Sequence, residues 1–215
     1  MSRGAVIEGI LREKTVVILR GYTEEELLSL AGAVEAGGVR YIEITFDATG
    51  RIPAWETARR IGAVKEKFPH LHVGAGTVLT VQEAEAAAGA GAEYLISPDV
   101  NEAVIRRTRE MGLVSIPGAF TATEAQAAHR AGADFVKLFP AGNMPPAYLS
   151  SLAAPLSHIR FLAVGSVNEE NARDYLEAGA VGVGVGNIVE KAAVQAGDFA
   201  RITERVARLV KTVRG

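Results

Sequence analysis

The hydrophobic positions of this chain alternate between two textures. Short runs rich in Val, Ile, Leu and aromatic residues recur at 15–20, 41–46, 72–76, 94–97, 113–117, 135–139, 161–164 and 182–185. Runs of this kind, bounded by turn residues, read as strands buried on both faces. Between them lie longer Ala-rich stretches with apolar residues at helical spacing, at 24–36, 54–67, 82–90, 102–110, 123–131 and 169–178. Thr23, Thr80, Asn101, Thr121 and Asn168 stand where N-caps belong, often with acids just inside. Ala36-Gly37-Gly38, Ala90-Gly91-Ala92, Ala131-Gly132-Ala133 and Ala178-Gly179-Ala180 each close a helix and lead into a strand. Glycine takes the left-handed turn at a helix C-terminus without steric cost.

Eight such strand–helix units predict an α/β chain folded as a closed (β/α)8 TIM barrel, not an open doubly wound sheet. No linker or shift in composition divides the chain, so 1–215 is expected to be a single, compact barrel domain. In such a barrel the active site lies at the C-terminal ends of the strands, and polar or Gly-rich residues gather there. They include Arg20, Glu43 and Thr45, Gly74-Ala75-Gly76-Thr77, Ser97-Pro98, Pro117-Gly118, Gly165-Ser166 and Gly186-Asn187. His70, His72, His129 and His158 fall at the opposite end or outside, with no spacing suited to a shared metal. No metal is therefore expected.

The chemistry concentrates on Lys137, set in the apolar run Asp134-Phe135-Val136-Lys137-Leu138-Phe139-Pro140. A lysine desolvated there must be paired or lose its proton. A neutral amine is what a Schiff-base nucleophile requires. Glu43, in Tyr41-Ile42-Glu43-Ile44-Thr45, is the available partner. The residues alone leave open a strand-end lysine reaching solvent or a buried structural ion pair. Arg20 alone reads equally as a ligand contact or a rim salt bridge.

Composition narrows the classes. The 215 residues are 48% hydrophobic with a formal net charge of −2, which gives no general attraction for nucleic acid or an anionic membrane. The absence of cysteine excludes disulfides, thiolate metal sites and cysteine nucleophiles. No segment approaches the roughly 20 apolar residues of a membrane span, and no signal-peptide layout opens the chain, so the expected compartment is the cytoplasm. Trp55 and Phe68 read as packing residues within or between barrels. Arg59-Arg60, Arg106-Arg107 and the basic stretch 201–214 read as solvated faces or subunit contacts.

Five motifs in order now carry a resemblance: Val39-Arg40-Tyr41-Ile42-Glu43-Ile44-Thr45, Gly74-Ala75-Gly76-Thr77-Val78-Leu79, Ile96-Ser97-Pro98, Ile116-Pro117-Gly118 and Lys137-Leu138-Phe139-Pro140-Ala141. Together they resemble the 2-keto-3-deoxy-6-phosphogluconate (KDPG) / 4-hydroxy-2-oxoglutarate (KHG) aldolases. The resemblance implies a homotrimeric, metal-free class I aldolase of the Entner–Doudoroff pathway. It needs no cofactor beyond the covalent Schiff base between substrate and Lys137. It implies Glu43 as general acid/base, Thr77 and Pro98 around the pyruvyl carboxylate, and Phe139 packed beside the lysine. Gly165, Ser166, Gly186 and Asn187 would hold a phosphate through backbone amides. Its partners would be a 2-keto acid and pyruvate.

The chain departs from the family pattern at four places. An arginine usual four residues after the glutamate is Asp47 here, so Arg20 is the expected carboxylate ligand. Val164 replaces a threonine that helps read the C4 configuration, Ser166 replaces a glycine, and Asn187 replaces a serine. These changes keep open a galactonate-type (KDPGal) aldolase and a non-catalytic sugar-acid-binding barrel. A phosphate-binding barrel of the thiamine-phosphate type is a further alternative.

Overall fold

The computed structural model describes residues 2–215. Its parallel strands are β1 (Thr15–Leu19), β2 (Tyr41–Thr45), β3 (His72–Gly76), β4 (Tyr94–Ile96), β5 (Val114–Ile116), β6 (Gly118–Ala119), β7 (Val136–Leu138), β8 (Phe161–Val164) and β9 (Gly182–Val185). They pair in the order β5-β4-β3-β2-β1-β9-β8-β7-β6. The eight expected strands have become nine segments because Pro117, which has no N–H, splits the fifth into β5 and β6. β5 pairs with β4 and β6 with β7. The ring closes across the break: Ser115 O accepts from the N–H groups of Asp134 and Phe135, and Pro117 O from that of Lys137 at 2.8 Å. The barrel is thus a (β/α)8 barrel with one interrupted stave.

The helices are α1 (Arg3–Glu13), α2 (Glu24–Ala36), α3 (Ala54–Lys67), α4 (Val81–Gly89), α5 (Glu102–Glu110), α6 (Ala122–Ala131), α7 (Pro146–Ala153), α8 (Ala172–Glu177), α9 (Lys191–Gln195) and α10 (Phe199–Arg214). Thr23, Thr80 and Thr121 close capping boxes with Glu26, Glu83 and Glu124, as the spacing of hydroxyl and acid requires. Asn101 accepts from Ala103 N and Val104 N. Asn168 differs: it accepts from Glu170 N and Asn171 N in a turn, and the helix starts only at Ala172. Its short polar side chain stabilises that turn, which displaces the helix start from 169. Gly91, Gly132 and Gly179 adopt positive φ as expected, but in the first pair Gly38 does so, while Gly37 stays right-handed.

Two cores follow from strand alternation. Outward residues such as Val17, Leu19, Ile42, Ile44 and Val73 pack beneath the helices. Inward residues Val16, Tyr41, Tyr94, Ile96, Val114, Ile116, Phe135, Leu162 and Val164 fill the barrel together with Val6 and Ile10 of α1. Helix α1, which the sequence reading did not foresee, therefore plugs the N-terminal end. On β3 the inward positions are Gly74 and Gly76, and only the missing side chain lets their neighbours in. A Cβ on Gly74 would collide with the Tyr94 ring, and one on Gly76 with the Glu43 carboxylate. At this lower end one polar network is paired, while Thr15 Oγ1 at the start of β1 has no partner. Tyr94 donates to Ile42 O at 2.6 Å and to His72 O at 3.3 Å. Glu93 meets Lys65 Nζ at 2.6 Å and His72 Nδ1 at 2.8 Å, while Tyr41 stacks on His72.

Candidate active site

Lys137 is the middle residue of β7, flanked in register by Gly118 and Leu162. Alternation along the strand turns its side chain into the barrel, above the ring of Phe135, and it is only 4% exposed. Its Nζ lies 4.6 Å from the centroid of the Phe139 ring. Burial pushes the ammonium pKa down, Glu43 draws it back up, and Arg20 adds to the lowering. An aromatic face favours the cation, but apolar surroundings oppose it, so the amine deprotonates more readily than a free lysine.

Glu43 is 1% exposed, and neither carboxylate oxygen has a hydrogen-bond partner. Burial pushes its carboxyl pKa up, and the charges of Lys137 and then Arg20 pull it down. Among the described residues no ion pair or hydrogen bond joins Glu43 to Lys137. The two act on each other through the field across a low-dielectric interior. Two unused acceptor oxygens beside an amine of depressed pKa can take up and return protons.

Above this pair a cavity of about 600 Å³ opens at the C-terminal ends of the strands. Arg20, Thr77, Pro98, Lys137, Phe139, Gly165, Ser166, Gly186 and Asn187 all line it. Glu43 is not part of the lining and lies beneath it, against Gly76. Arg20 Nη1 donates to Thr77 Oγ1 at 3.1 Å, which fixes one arm of its fork and places both groups where a carboxylate can be held. Thr77 sits in the left-handed region at φ 55°, so the turn after β3 carries local strain at the site.

Gly165 and Ser166 follow β8, and Gly186 and Asn187 follow β9, the strand that pairs with β1. Among the described residues none accepts a hydrogen bond from these four backbone N–H groups, which suits an anion. Gly165 and Ser166 both have positive φ, at 96° and 54°. A side chain at Ser166 is therefore tolerated in a conformation that favours glycine. Asn171 Nδ2 donates to Ser166 O at 3.1 Å and Gly142 N to Gly165 O at 2.8 Å, holding the turn.

Asp47 faces elsewhere. It lines a second cavity of about 450 Å³ on the other side of Arg20, and its carboxylate accepts from Thr49 N, Thr49 Oγ1 and Ile52 N. Those bonds, chiefly with Thr49, hold its pKa down. Arg60 corrects another expectation: it is no solvated residue, since its half-buried guanidinium donates to Tyr22 O and pairs with Glu56. Trp55, by contrast, is 65% exposed. Sequence reasoning missed Tyr22 and Lys191 in the cavity wall. No local motif marks either, and only their distance from strand ends could have pointed to them.

A model of the family "KDPG and KHG aldolase" matches residues 7–205. The 2-dehydro-3-deoxy-6-phosphogalactonate aldolase of Escherichia coli (strain K12) is 36% identical over 201 residues, covering 93% of this chain and 94% of that protein. The KHG/KDPG aldolase of the same strain is 34% identical and covers 87% and 86%. Among solved structures, the KDPG aldolase from Legionella pneumophila, with pyruvate captured as a covalent carbinolamine, matches with a TM-score of 0.83. It is 25% identical and covers 97% of this chain and 98% of that one. A chain of a protein cage designed by fusing symmetric oligomeric domains also matches at TM-score 0.83 and 35% identity, covering 94% and 72%.

Proposed function

The chain belongs to the KDPG and KHG aldolase family of carbon–carbon lyases, and from that premise we propose that it works as a metal-independent class I aldolase through Lys137. The substrate is a 2-keto-3-deoxy-6-phospho sugar acid, KDPG, cleaved to pyruvate and glyceraldehyde 3-phosphate, and/or 4-hydroxy-2-oxoglutarate, cleaved to pyruvate and glyoxylate. One observation carries the reading: a desolvated lysine beside a buried carboxylate that has no structural partner to satisfy. A structural pair would be hydrogen-bonded.

In this reading each group has a step. Neutral Lys137 Nζ attacks the C2 ketone, and Glu43 supplies the proton with which the carbinolamine hydroxyl leaves as water. The resulting iminium withdraws electrons from the C3–C4 bond as the C4 hydroxyl gives up its proton to the Glu43 carboxylate. The aldehyde departs, the enamine is protonated at C3, and hydrolysis returns pyruvate and free Lys137. Arg20 and Thr77 hold the pyruvyl carboxylate between Pro98 and Phe139. The free amides at Gly165, Ser166, Gly186 and Asn187 receive the distal phosphate.

Val164 favours a second reading, cleavage of the galactonate epimer. It lines the cavity beside Gly184, and a valine cannot hydrogen-bond the C4 hydroxyl as a threonine would. The same overall reading has the enzyme act in the cytoplasm in the Entner–Doudoroff pathway as a homotrimer. The exposed Trp55 and the oligomeric domains of the matched cage support a subunit contact.

The test is pyruvate release from each of the three acids, followed with lactate dehydrogenase and NADH, with and without a chelator. Cleavage of at least one acid, unchanged by the chelator, is expected. No release from any of them would refute the proposal.

A further inference from the structure

The cavity holds a third cation that the family motifs do not include. Lys191 opens α9 and lines the cavity together with Gly186 and Asn187, on the segment that follows β9, the neighbour of β1. Arg20, Lys137 and Lys191 are the charged groups of the lining, and no acidic side chain joins them. The neighbouring acid, Glu190, is engaged by Arg201 at 2.9 Å and by Arg205 at 2.7 Å. None of the ion pairs among the described residues includes Lys191, so its ammonium has no competing partner.

The backbone that carries it is fixed. Tyr22 donates its hydroxyl to Val189 O at 3.3 Å, Val189 N donates to Gly186 O at 3.2 Å, and Arg205 Nη1 donates to Asn187 O at 3.2 Å. The segment from β9 to α9 is thereby tied to the loop after β1 and to α10. An unpaired lysine on a pinned segment, beside four amides without acceptors, is arranged for a dianion. The amides supply direction but no net charge. A lysine supplies a mobile point charge that reaches without demanding one geometry.

We propose that Lys191 is a specificity residue that reads the charge of the substrate's distal phosphate, completing with the Gly165–Ser166 and Gly186–Asn187 amides a subsite for phosphorylated over unphosphorylated 2-keto acids. The inference rests on the aldolase reading, and Lys191 takes no part in bond breaking. Because the lysine is exposed at the rim, its attraction is screened by salt.

The experiment compares Lys191→Met and Lys191→Arg with the wild type, using the 6-phosphate acid that is turned over and 4-hydroxy-2-oxoglutarate. Lys191→Met is expected to lower kcat/KM for the phosphorylated acid about fivefold more than for the unphosphorylated one. It also weakens inhibition by inorganic phosphate to a similar degree and flattens the salt dependence, and Lys191→Arg restores all three. Equal effects on both acids, or none on either, would overturn the proposal. Borohydride trapping of pyruvate on Lys137 in each variant separates the two levels. A variant that traps normally without changing the preference sinks only the role of Lys191, whereas a wild type that traps no pyruvate removes the aldolase reading with it.

Discussion

Two polar clusters, one towards each end of the barrel, are satisfied in opposite ways. At the N-terminal end Tyr94, His72, Glu93 and Lys65 satisfy one another and the backbone, with Tyr94 donating to two carbonyls and Glu93 held by two partners. At the C-terminal end Glu43 has both oxygens unpaired a few residues further along the same strand system, and Lys137 is buried without an ion pair within bonding distance. A satisfied buried polar group stabilises a fold, whereas an unsatisfied one costs stability. The lower network locks the register of the strands that carry the upper pair: Tyr41 and Glu43 are two residues apart on β2, so both face inward. Stability and reactivity are built into the same staves, one layer apart.

The comparison is broken most forcefully by Glu43→Gln. The amide cannot move protons, and kcat should fall by about 10²–10⁴-fold, measured in steady state. The same substitution has a pH signature. Glu43 raises the pKa of Lys137, and Arg20 lowers it. Removing the negative charge therefore moves the pH midpoint of imine formation down, and Arg20→Met moves it up. Midpoints that shift together in one direction would contradict the electrostatic coupling.

Arg20→Met comes next. Loss of a charged hydrogen-bonding fork should weaken pyruvate binding roughly 10- to 100-fold in titrations. Asp47→Ala should leave it near the wild-type value, because Asp47 is spent on Thr49 and Ile52 in the neighbouring loop. The reverse order would remove Arg20 from the carboxylate site. The smallest change belongs to the lower end. Tyr94→Phe removes the buried hydroxyl that bonds the Ile42 and His72 carbonyls and should cost about 1–2 kcal/mol in denaturant unfolding, with kcat unchanged. A matching loss of activity would show that the two layers are not separable.

Much of this division was legible in the residues. Six of the outer helices, the strand positions and the threonine caps follow from periodicity and side-chain chemistry that act locally. Lys137 and Glu43 announced themselves as charges inside apolar runs. Three things were hidden because they depend on distant contacts. Helix α1 is defined as a plug only by the barrel mouth that Val6 and Ile10 fill. The break at Pro117 matters only because both neighbours β4 and β7 claim the same stave. Lys191 reaches the cavity through the path of the chain after β9, which no local pattern records. Arg60 looked like half of a surface pair, and its burial comes from the fold of the loop bearing Tyr22.

The most direct test of the central claim is covalent capture. The protein is incubated with pyruvate, reduced with borohydride, and the modified peptide identified by mass. A stable adduct on Lys137, absent from Lys137→Met, is the predicted result. No adduct at saturating pyruvate, or one on another lysine, would contradict the account.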